Sequence, residues 1–307
     1  MKKAFFRWVA SLFLLSAVDS AQAQKVVQFE KTSAYHHIQV YDENEVRTLS
    51  FNGSWETTMS LNDPQSGHFE YTEYFQMPWL WNHDIHRVLM AGLGGGSTQR
   101  AYQFYYPNVS VDTVEIDPAV SEVAQKYFNV RQTTNHVIHV EDARVFLRRA
   151  TNAYDVILMD AYSTTRYGSS LPAHLTTREF FNLANEHLTT NGVFAYNVIG
   201  QMRTGGFRTD VMGALYRTMA TVFPHVYLFP ATESQNVVMI GTKSRELFNA
   251  ARVQREAASL VRSNIVTLPT FETRSRTFST EIPAAAGRSP ILTDNYAPIE
   301  ALLNGNK

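Results

Sequence analysis

Cysteine is absent from the 307 residues. This absence excludes disulfide bonds, and it excludes a lipid anchor attached to an N-terminal cysteine. The fold must therefore be stabilised by its core alone. Apolar residues make up 44% of the chain, which is enough for a packed core, and the length suits one large domain or two modest ones.

An excess of basic residues is also absent, because 27 Lys and Arg residues stand against 28 Asp and Glu residues. The sequence contains no run of Lys and Arg that could follow a phosphate backbone. Nucleic acid is therefore not an expected partner.

Long hydrophobic runs are missing as well. The apolar stretch within Ala10–Val18 is shorter than the roughly 20 residues that span a bilayer. Two lysines precede it and Ala21-Gln22-Ala23 follows it, which is typical of a secretory signal peptide. We predict a signal peptide over residues 1–23, an exported, periplasmic protein that starts at Gln24, and no membrane span after cleavage. The alternative is an anchor that stays attached.

Clusters of metal ligands are missing too. His36-His37 and His83-x-x-His86 have no cysteine or acidic cluster beside them, so we interpret these histidines as structural and predict no metal site. The G-x-S-x-G turn of serine hydrolases is also absent, which argues against a serine nucleophile.

The N-terminal part of the remaining chain, residues 24–84, has the pattern of a small β-hairpin domain. Apolar and polar residues alternate in short runs, and Asp42 to Asn44 and Asn52-Gly53 are the predicted reversals. An aromatic segment follows from Phe69 to Trp81, for which we predict a helix.

Strand and helix patterns alternate over residues 85–243. The predicted strands are Val88–Ala91, Val111–Ile116, Val137–Val140, Val156–Met159 and Val193–Val198, and the predicted helices between them are Thr98–Tyr106, Pro118–Tyr127, Ala143–Arg149 and Thr176–Leu188, with Thr209–Val222 after the last strand. This pattern predicts an α/β fold with a doubly wound, mostly parallel, Rossmann-like sheet. Two closely spaced runs, "HVYLFPA" and "NVVMIGT", are expected to close its edge as an antiparallel pair. Residues 244–307 are predicted to form a helix over 244–260 and a tail that packs on this domain.

A glycine-rich turn, "GLGGGS", follows the first predicted strand of this sheet. Gly92, Gly94 and Gly96 allow backbone N–H groups to approach a ligand, although such a turn can also be merely tight. Glu115 ends the second strand at the spacing of an acid that accepts hydrogen bonds from ribose hydroxyls. Asp142 and its neighbour Glu141 end the third strand, where a carboxylate can accept from an adenine amine.

These features together favour an adenosine-type ligand. The G-x-G-x-G spacing is similar to that of enzymes that use S-adenosylmethionine, since the sixth position of the dinucleotide motif is Ser97 rather than glycine. NAD is the weaker alternative.

The chain resembles the polyamine aminopropyltransferase (spermidine synthase) family, in particular its divergent spermidine synthase-like branch. The matching stretches, in order, are "FNG", "FEYTEYF", "VLMAGLGGGS", "VEIDP", "EDARVFL", "YDVILMDAYS", "LTTREFF" and "ILTDNYAP". The resemblance implies a methyltransferase-type fold and transfer of an aminopropyl group from decarboxylated S-adenosylmethionine, used as a co-substrate with no permanently bound cofactor, to a small amine or polyamine. A homodimer is a possible assembly.

The resemblance also implies roles for individual residues. Gly92, Gly94 and Gly96 would line the nucleoside, Glu115 would hold the ribose, Asp142 with Ala143 would contact adenine, and Asp160 would be the acid beside the transfer centre. Tyr71, Glu73, Ser163 and Asp294 are weaker candidates on the acceptor side; Tyr71 and Glu73 could instead pack a helix onto the sheet, and Asp294 could anchor the tail.

The chain departs from the family at two positions. The family usually carries aspartates where this chain has Gly95 and Ser163. The site therefore has fewer carboxylates for a diamine. Two other hypotheses remain open: an exported module that binds a nucleoside or amine without turnover, and a methyltransferase on the same fold. Glu179, three residues after Thr176, is predicted to form a capping box.

Overall fold

The computed structural model describes residues 24–165, 168–200 and 210–304. The predicted signal peptide and the first predicted residue of the Thr209–Val222 helix lie outside these residues. Within the described ranges, no helix has the length and apolar character required to cross a membrane.

The N-terminal strands form a four-stranded antiparallel sheet in sequence order. Its strands are β1 (Val26–Thr32), β2 (His37–Glu43), β3 (Val46–Phe51) and β4 (Ser54–Ser60). The first reversal lies at Asn44 and Glu45, slightly beyond the predicted position, and the second lies at Asn52-Gly53 as predicted. Both residues of each turn have positive φ, the conformation that a two-residue hairpin requires.

The aromatic segment forms the predicted helix, over Glu70–Leu80, and the helix has 3₁₀ geometry. Nine of its eleven residues are buried, and Pro78 lies inside it, where it provides no backbone N–H. Tyr74, Phe75 and Trp79 pack into the core on one face of the large sheet. This segment therefore connects the N-terminal sheet to the second unit.

The second unit contains a seven-stranded sheet in the order β12-β13-β11-β8-β5-β6-β7. Strands β5 to β8, with β11, are parallel; β13 is antiparallel to β11 and to β12, which confirms the predicted edge pair. The strands are β5 (Arg87–Ala91), β6 (Ser110–Glu115), β7 (His136–Val140), β8 (Tyr154–Met159), β11 (Leu188–Ile199), β12 (His225–Pro230) and β13 (Asn236–Thr242), with a small hairpin of β9 (Ser163–Thr165) and β10 (Gly168–Ser170) after β8.

Helices cover both faces of this sheet. They are α1 (Ser97–Tyr105), α2 (Pro118–Tyr127), α3 (Ala143–Arg149), α4 (Arg178–Glu186), α5 (Val211–Met219), α6 (Ala250–Arg262), α7 (Phe271–Ser275) and α8 (Ile299–Asn304). One core cluster lies on each face, and a third joins the N-terminal sheet to α2 through Leu49 and Val120. The doubly wound α/β class predicted from the sequence is confirmed.

The predicted starts of two helices were wrong. The C-terminal helix begins at Ala250 because the side chain of Asn249 caps it by accepting from the N–H of Arg252. Helix α4 begins at Arg178, and its cap is Thr177, whose side chain accepts from the N–H of Phe180.

The capping box that joined Thr176 to Glu179 is therefore wrong. The Thr176 hydroxyl donates to the carbonyl of Ala173 instead. The carboxylate of Glu179 accepts from the backbone N–H of Asp294, so it holds the C-terminal tail rather than the start of its own helix.

Candidate active site

A cavity of about 240 Å³ opens at the carboxyl ends of β5, β6 and β8, where ligands bind in open α/β sheets. It brings together eight of the residues singled out from the sequence, namely Tyr71, Gly92, Gly94, Glu115, Asp142, Ala143, Asp160 and Ser163. The carboxyl ends of parallel strands share one edge of a sheet, which explains why residues so distant in sequence meet here.

The glycine turn is required by close backbone packing. Gly92 has a φ of 94°, and a Cβ on it would lie 2.1 Å from the carbonyl oxygen of Asp160. Gly96 has a φ of 73° and precedes α1, and its Cβ would lie 2.2 Å from a methyl of Val130. Gly96 therefore shapes the turn but, unlike Gly92 and Gly94, is not part of the cavity wall.

Glu115 is buried at the end of β6, and its carboxylate holds the glycine turn through a hydrogen bond. Its carboxylate accepts from the N–H of Leu93 at 3.0 Å and from the N–H of Asp117 at 2.9 Å. Burial raises the pKa of Glu115 to about 7, while these backbone hydrogen bonds favour the ionised form. The residue therefore couples the glycine turn to the next strand and also faces the cavity.

Asp142 caps α3 rather than standing free. Its Oδ1 accepts from the N–H of Val145 at 2.9 Å, and its Oδ2 lies 2.7 Å from Nε2 of His174. The hydrogen bond with His174 is the main reason that the pKa of Asp142 is lowered. His174 and Ala143 also line the cavity, so the third-strand side of the site presents an ionised carboxylate next to an imidazole.

Asp160 follows β8 directly, and its carboxylate is held by two side chains. Its carboxylate accepts from the Tyr71 hydroxyl at 3.2 Å and from Nδ2 of Asn197 at 2.9 Å. Burial raises the pKa of Asp160 to about 6, and the two hydrogen bonds oppose that shift. Since proton-transfer groups work best with a pKa near the working pH, Asp160 is suited to accept a proton near neutrality.

The Tyr71 contact joins two units of the fold. Tyr71 comes from the 3₁₀ helix, and Asp160 comes from the central sheet 89 residues later. The resemblance makes Tyr71 a weaker acceptor-side candidate, and the structure places its hydroxyl against the carboxylate of Asp160.

Three residues of the site were missed from the sequence. Asn197 lies on β11, where its neighbour Tyr196 pairs with Met159, so a polar residue inside the apolar strand "FAYNVI" was a usable signal. His174 gave no signal, because it meets Asp142 across 32 residues. Glu56 lines the cavity from β4, and nothing in the β pattern of the N-terminal segment distinguished it.

Glu73 does not join this cavity. It borders a second cavity of about 320 Å³, and it accepts from Nε of Arg274 and lies 3.0 Å from Nε2 of His68. Arg274 also binds Glu70, so these acids hold α7 against the 3₁₀ helix.

Asp294 lies outside both cavities and forms a bidentate ion pair with Arg144, with distances of 2.7 and 2.6 Å. It also accepts from the Thr177 hydroxyl. The geometry is that of an anchor for the C-terminal tail. Over the ranges that the structure describes, there is no group of three or more metal-binding side chains.

Comparisons with known proteins agree with this architecture. The sequence matches the spermine/spermidine synthase domain over residues 68–250. A polyamine aminopropyltransferase of Vibrio vulnificus is 31% identical over 290 residues, which are 91% of this chain and 92% of that protein. An eEF1A lysine and N-terminal methyltransferase of Xenopus laevis is 32% identical over 181 residues, which are 56% of this chain and 25% of that protein.

A solved structure shows the same fold. The crystal structure of a probable spermidine synthase from Corynebacterium glutamicum aligns with a TM-score of 0.63 and 21% identity, and the alignment covers 76% of this chain and 86% of that chain. This similarity extends the agreement from the sequence to the three-dimensional arrangement of strands and helices.

Proposed function

The chain belongs to the spermine/spermidine synthase family of transferases, and we propose that it moves an aminopropyl group from decarboxylated S-adenosylmethionine to a small amine. The observation that carries the proposal is the geometry around Asp160. Its carboxylate is held by Tyr71 and Asn197 at the cavity wall, directly beside the glycine turn.

In the proposed nucleoside site, the contacting residues lie at the carboxyl ends of β5, β6 and β7. Glu115 accepts from the ribose hydroxyls, Gly92 and Gly94 let the backbone approach the nucleoside, and Asp142 with Ala143 faces adenine. Support comes from their common cavity. Asp142 uses one lone pair of each oxygen for Val145 and His174, which leaves a second lone pair on each for an exocyclic amine.

The transfer step requires a neutral amine nitrogen aligned with the carbon next to the sulfonium. As the new N–C bond forms, the C–S bond breaks and its electron pair stays on sulfur, so methylthioadenosine leaves as a neutral thioether. The attacking nitrogen must lose one proton, and Asp160 in its ionised form accepts it. Tyr71 and Asn197 keep the carboxylate in one orientation, which provides the alignment that such a reaction needs.

The acceptor half has fewer acids than is usual in the family. Ser163 lines the cavity with a hydroxyl where an aspartate is usual. An aspartate at position 95 has no room here, because a Cβ on Gly95 would lie 2.7 Å from Cγ2 of Thr57. We therefore infer weak turnover with putrescine, a dication, and better turnover with an acceptor that carries fewer positive charges.

Export is a separate proposal. It is supported by the two N-terminal lysines, the short apolar run and Ala21-Gln22-Ala23. Mass spectrometry of protein recovered from the periplasm is expected to give a chain that starts near Gln24. Recovery of cytoplasmic protein that retains Met1 would contradict it.

The test of the transfer proposal is Asp160→Asn. The variant loses the proton acceptor, so the rate of methylthioadenosine release from decarboxylated S-adenosylmethionine and an amine should fall about 10²-fold or more. Binding of methylthioadenosine should stay within about twofold, because asparagine keeps the shape of the side chain and leaves the nucleoside contacts in place.

Other outcomes would contradict the proposal. Equal transfer rates in the two proteins would remove Asp160 from the mechanism. Nucleoside binding without turnover for any amine would favour the binding module. Release of S-adenosylhomocysteine from S-adenosylmethionine would instead favour a methyltransferase, the activity named for the Xenopus laevis relative.

A further inference from the structure

Glu56 occupies an irregular position in β4. Strand β3 pairs Leu49 with Thr57 and Ser50 with Trp55, so Glu56 is an extra residue with no partner opposite it. Such a β-bulge bends the strand and redirects a side chain, and bulges are frequent next to active sites. Here the bulge places Glu56 in the wall of the cavity that contains Asp160.

The bulge is attached to the glycine turn by the next residue. The N–H of Gly95 donates to Oγ1 of Thr57 at 2.9 Å, and a Cβ on Gly94 would lie 3.2 Å from the same oxygen. Thr57 therefore attaches β4 to the glycine turn, which is proposed to bind the nucleoside. Glu56 lines the cavity from this side, together with Asp160.

One oxygen of the Glu56 carboxyl is not satisfied by the protein. Its Oε1 atom is buried and has no hydrogen-bond partner among the described residues. Burial, together with the nearby charge of Asp160, raises the pKa of Glu56 to about 7. A buried carboxyl oxygen without a partner is costly, and a cationic ligand group would offset that cost.

Two nucleosides that share a sulfonium differ in the charge of the chain attached to sulfur. Decarboxylated S-adenosylmethionine carries a three-carbon chain that ends in an ammonium group. S-adenosylmethionine carries an additional carboxylate on that chain. Glu56 and Asp160 line the same cavity, so they would attract the first chain and repel the carboxylate of the second.

We propose that Glu56 binds the ammonium group of the aminopropyl donor and selects the decarboxylated nucleoside over S-adenosylmethionine, an assignment that rests on the proposed function. The contact of Thr57 with Gly95 leaves no room for a side chain at position 95, so the acid that faces the donor on this side of the cavity comes from β4.

The experiment compares three nucleosides by calorimetry in the wild type and in Glu56→Gln. Methylthioadenosine lacks the aminopropyl chain, so its affinity should change by less than about twofold. Affinity for decarboxylated S-adenosylmethionine should fall at least about tenfold, the scale of a lost charge-assisted hydrogen bond. Affinity for S-adenosylmethionine should stay or increase, so the preference between the two sulfonium donors shrinks at least about tenfold.

The matched control is Glu43→Gln, which removes the same charge from an exposed position at the end of β2 in the same sheet. This variant should leave all three affinities unchanged. Thermal unfolding and methylthioadenosine binding show whether Glu56→Gln is folded with an intact nucleoside site.

Each other result decides against the assignment. An unchanged preference, with methylthioadenosine still bound and transfer still dependent on Asp160, would overturn the role of Glu56 alone. Equal weakening of all three nucleosides would make Glu56 a support for the glycine turn. If the wild type binds none of them, the proposed function fails, and the assignment fails with it.

Discussion

Replacement of Asp160 by asparagine should change how the stability of the protein depends on pH. The substitution fits the site: the carbonyl of the introduced amide can accept from Nδ2 of Asn197, and its NH₂ group can donate to the Tyr71 oxygen, so both hydrogen bonds persist in a neutral form. The perturbation therefore removes one titrating group and little else.

The magnitude follows from the shift in the pKa of Asp160 from 3.8 to about 6. The native state holds this proton more tightly than the unfolded chain, so the carboxyl destabilises the protein progressively as pH rises through that interval. The full effect above the higher pKa is about 3 kcal/mol, and about half of it develops between pH 5 and pH 8.

Urea unfolding of the wild type and Asp160→Asn at several pH values measures this effect. Between pH 5 and pH 8, the variant should gain roughly 1–2 kcal/mol of unfolding free energy relative to the wild type. Titrating groups far from the cavity contribute equally to both proteins, so the comparison removes their effect. Glu56 interacts with Asp160, so the measured change reflects the titration of these two carboxyls together. If the unfolding free energies of the two proteins change in parallel with pH, the pKa of Asp160 is not raised in the folded state.

Three further substitutions test other contacts. Gly92→Ala should lower the transfer rate at least about tenfold, because its Cβ would displace the Asp160 carbonyl, and the left-handed backbone adds about 1–2 kcal/mol of strain; a normal rate would contradict this. Glu115→Ala should weaken methylthioadenosine binding at least about tenfold by calorimetry, with circular dichroism as the folding control; unchanged affinity would rule out the ribose role. Asp294→Asn breaks the ion pair with Arg144 and should lower Tm by about 2–4 °C without changing nucleoside affinity; weakened nucleoside binding would place Asp294 in the site.

The large sheet was predictable because its central parallel strands, β5 and β8, contain the uninterrupted apolar runs "VLMA" and "VILM". Buried parallel strands have no polar face, and the helices between them keep a separate periodicity. The glycine turn follows β5 directly and Glu115 is the last residue of β6, so both could be found from the strand pattern. The proposed nucleoside side of the site could therefore be located by position along the chain.

The remaining parts of the site depend on contacts between distant segments. Glu56 reaches the cavity through a bulge, and a one-residue irregularity in pairing cannot be seen in the alternation of a single strand. His174 and Tyr71 join their partners across 32 and 89 residues. Asp294 stood in a motif of the family, but its carboxylate is used by Arg144 on α3, a contact that only the packed tail creates.

The helix of the aromatic segment was predicted from the sequence, but its 3₁₀ geometry was not. Nearly every residue from Glu70 to Leu80 is buried. Burial on all sides removes the periodicity that identifies a regular helix. Pro78 then limits the backbone hydrogen bonds that the segment can form.

The most direct test of the central claim is a product analysis. The purified protein is incubated with decarboxylated S-adenosylmethionine and each member of a panel of amines, and methylthioadenosine and the amine product are identified by mass spectrometry. We expect methylthioadenosine and an amine enlarged by one aminopropyl group in equal amounts, with Asp160→Asn slower by about 10²-fold or more. If no amine gains an aminopropyl group although the nucleoside binds, the proposed transfer is wrong.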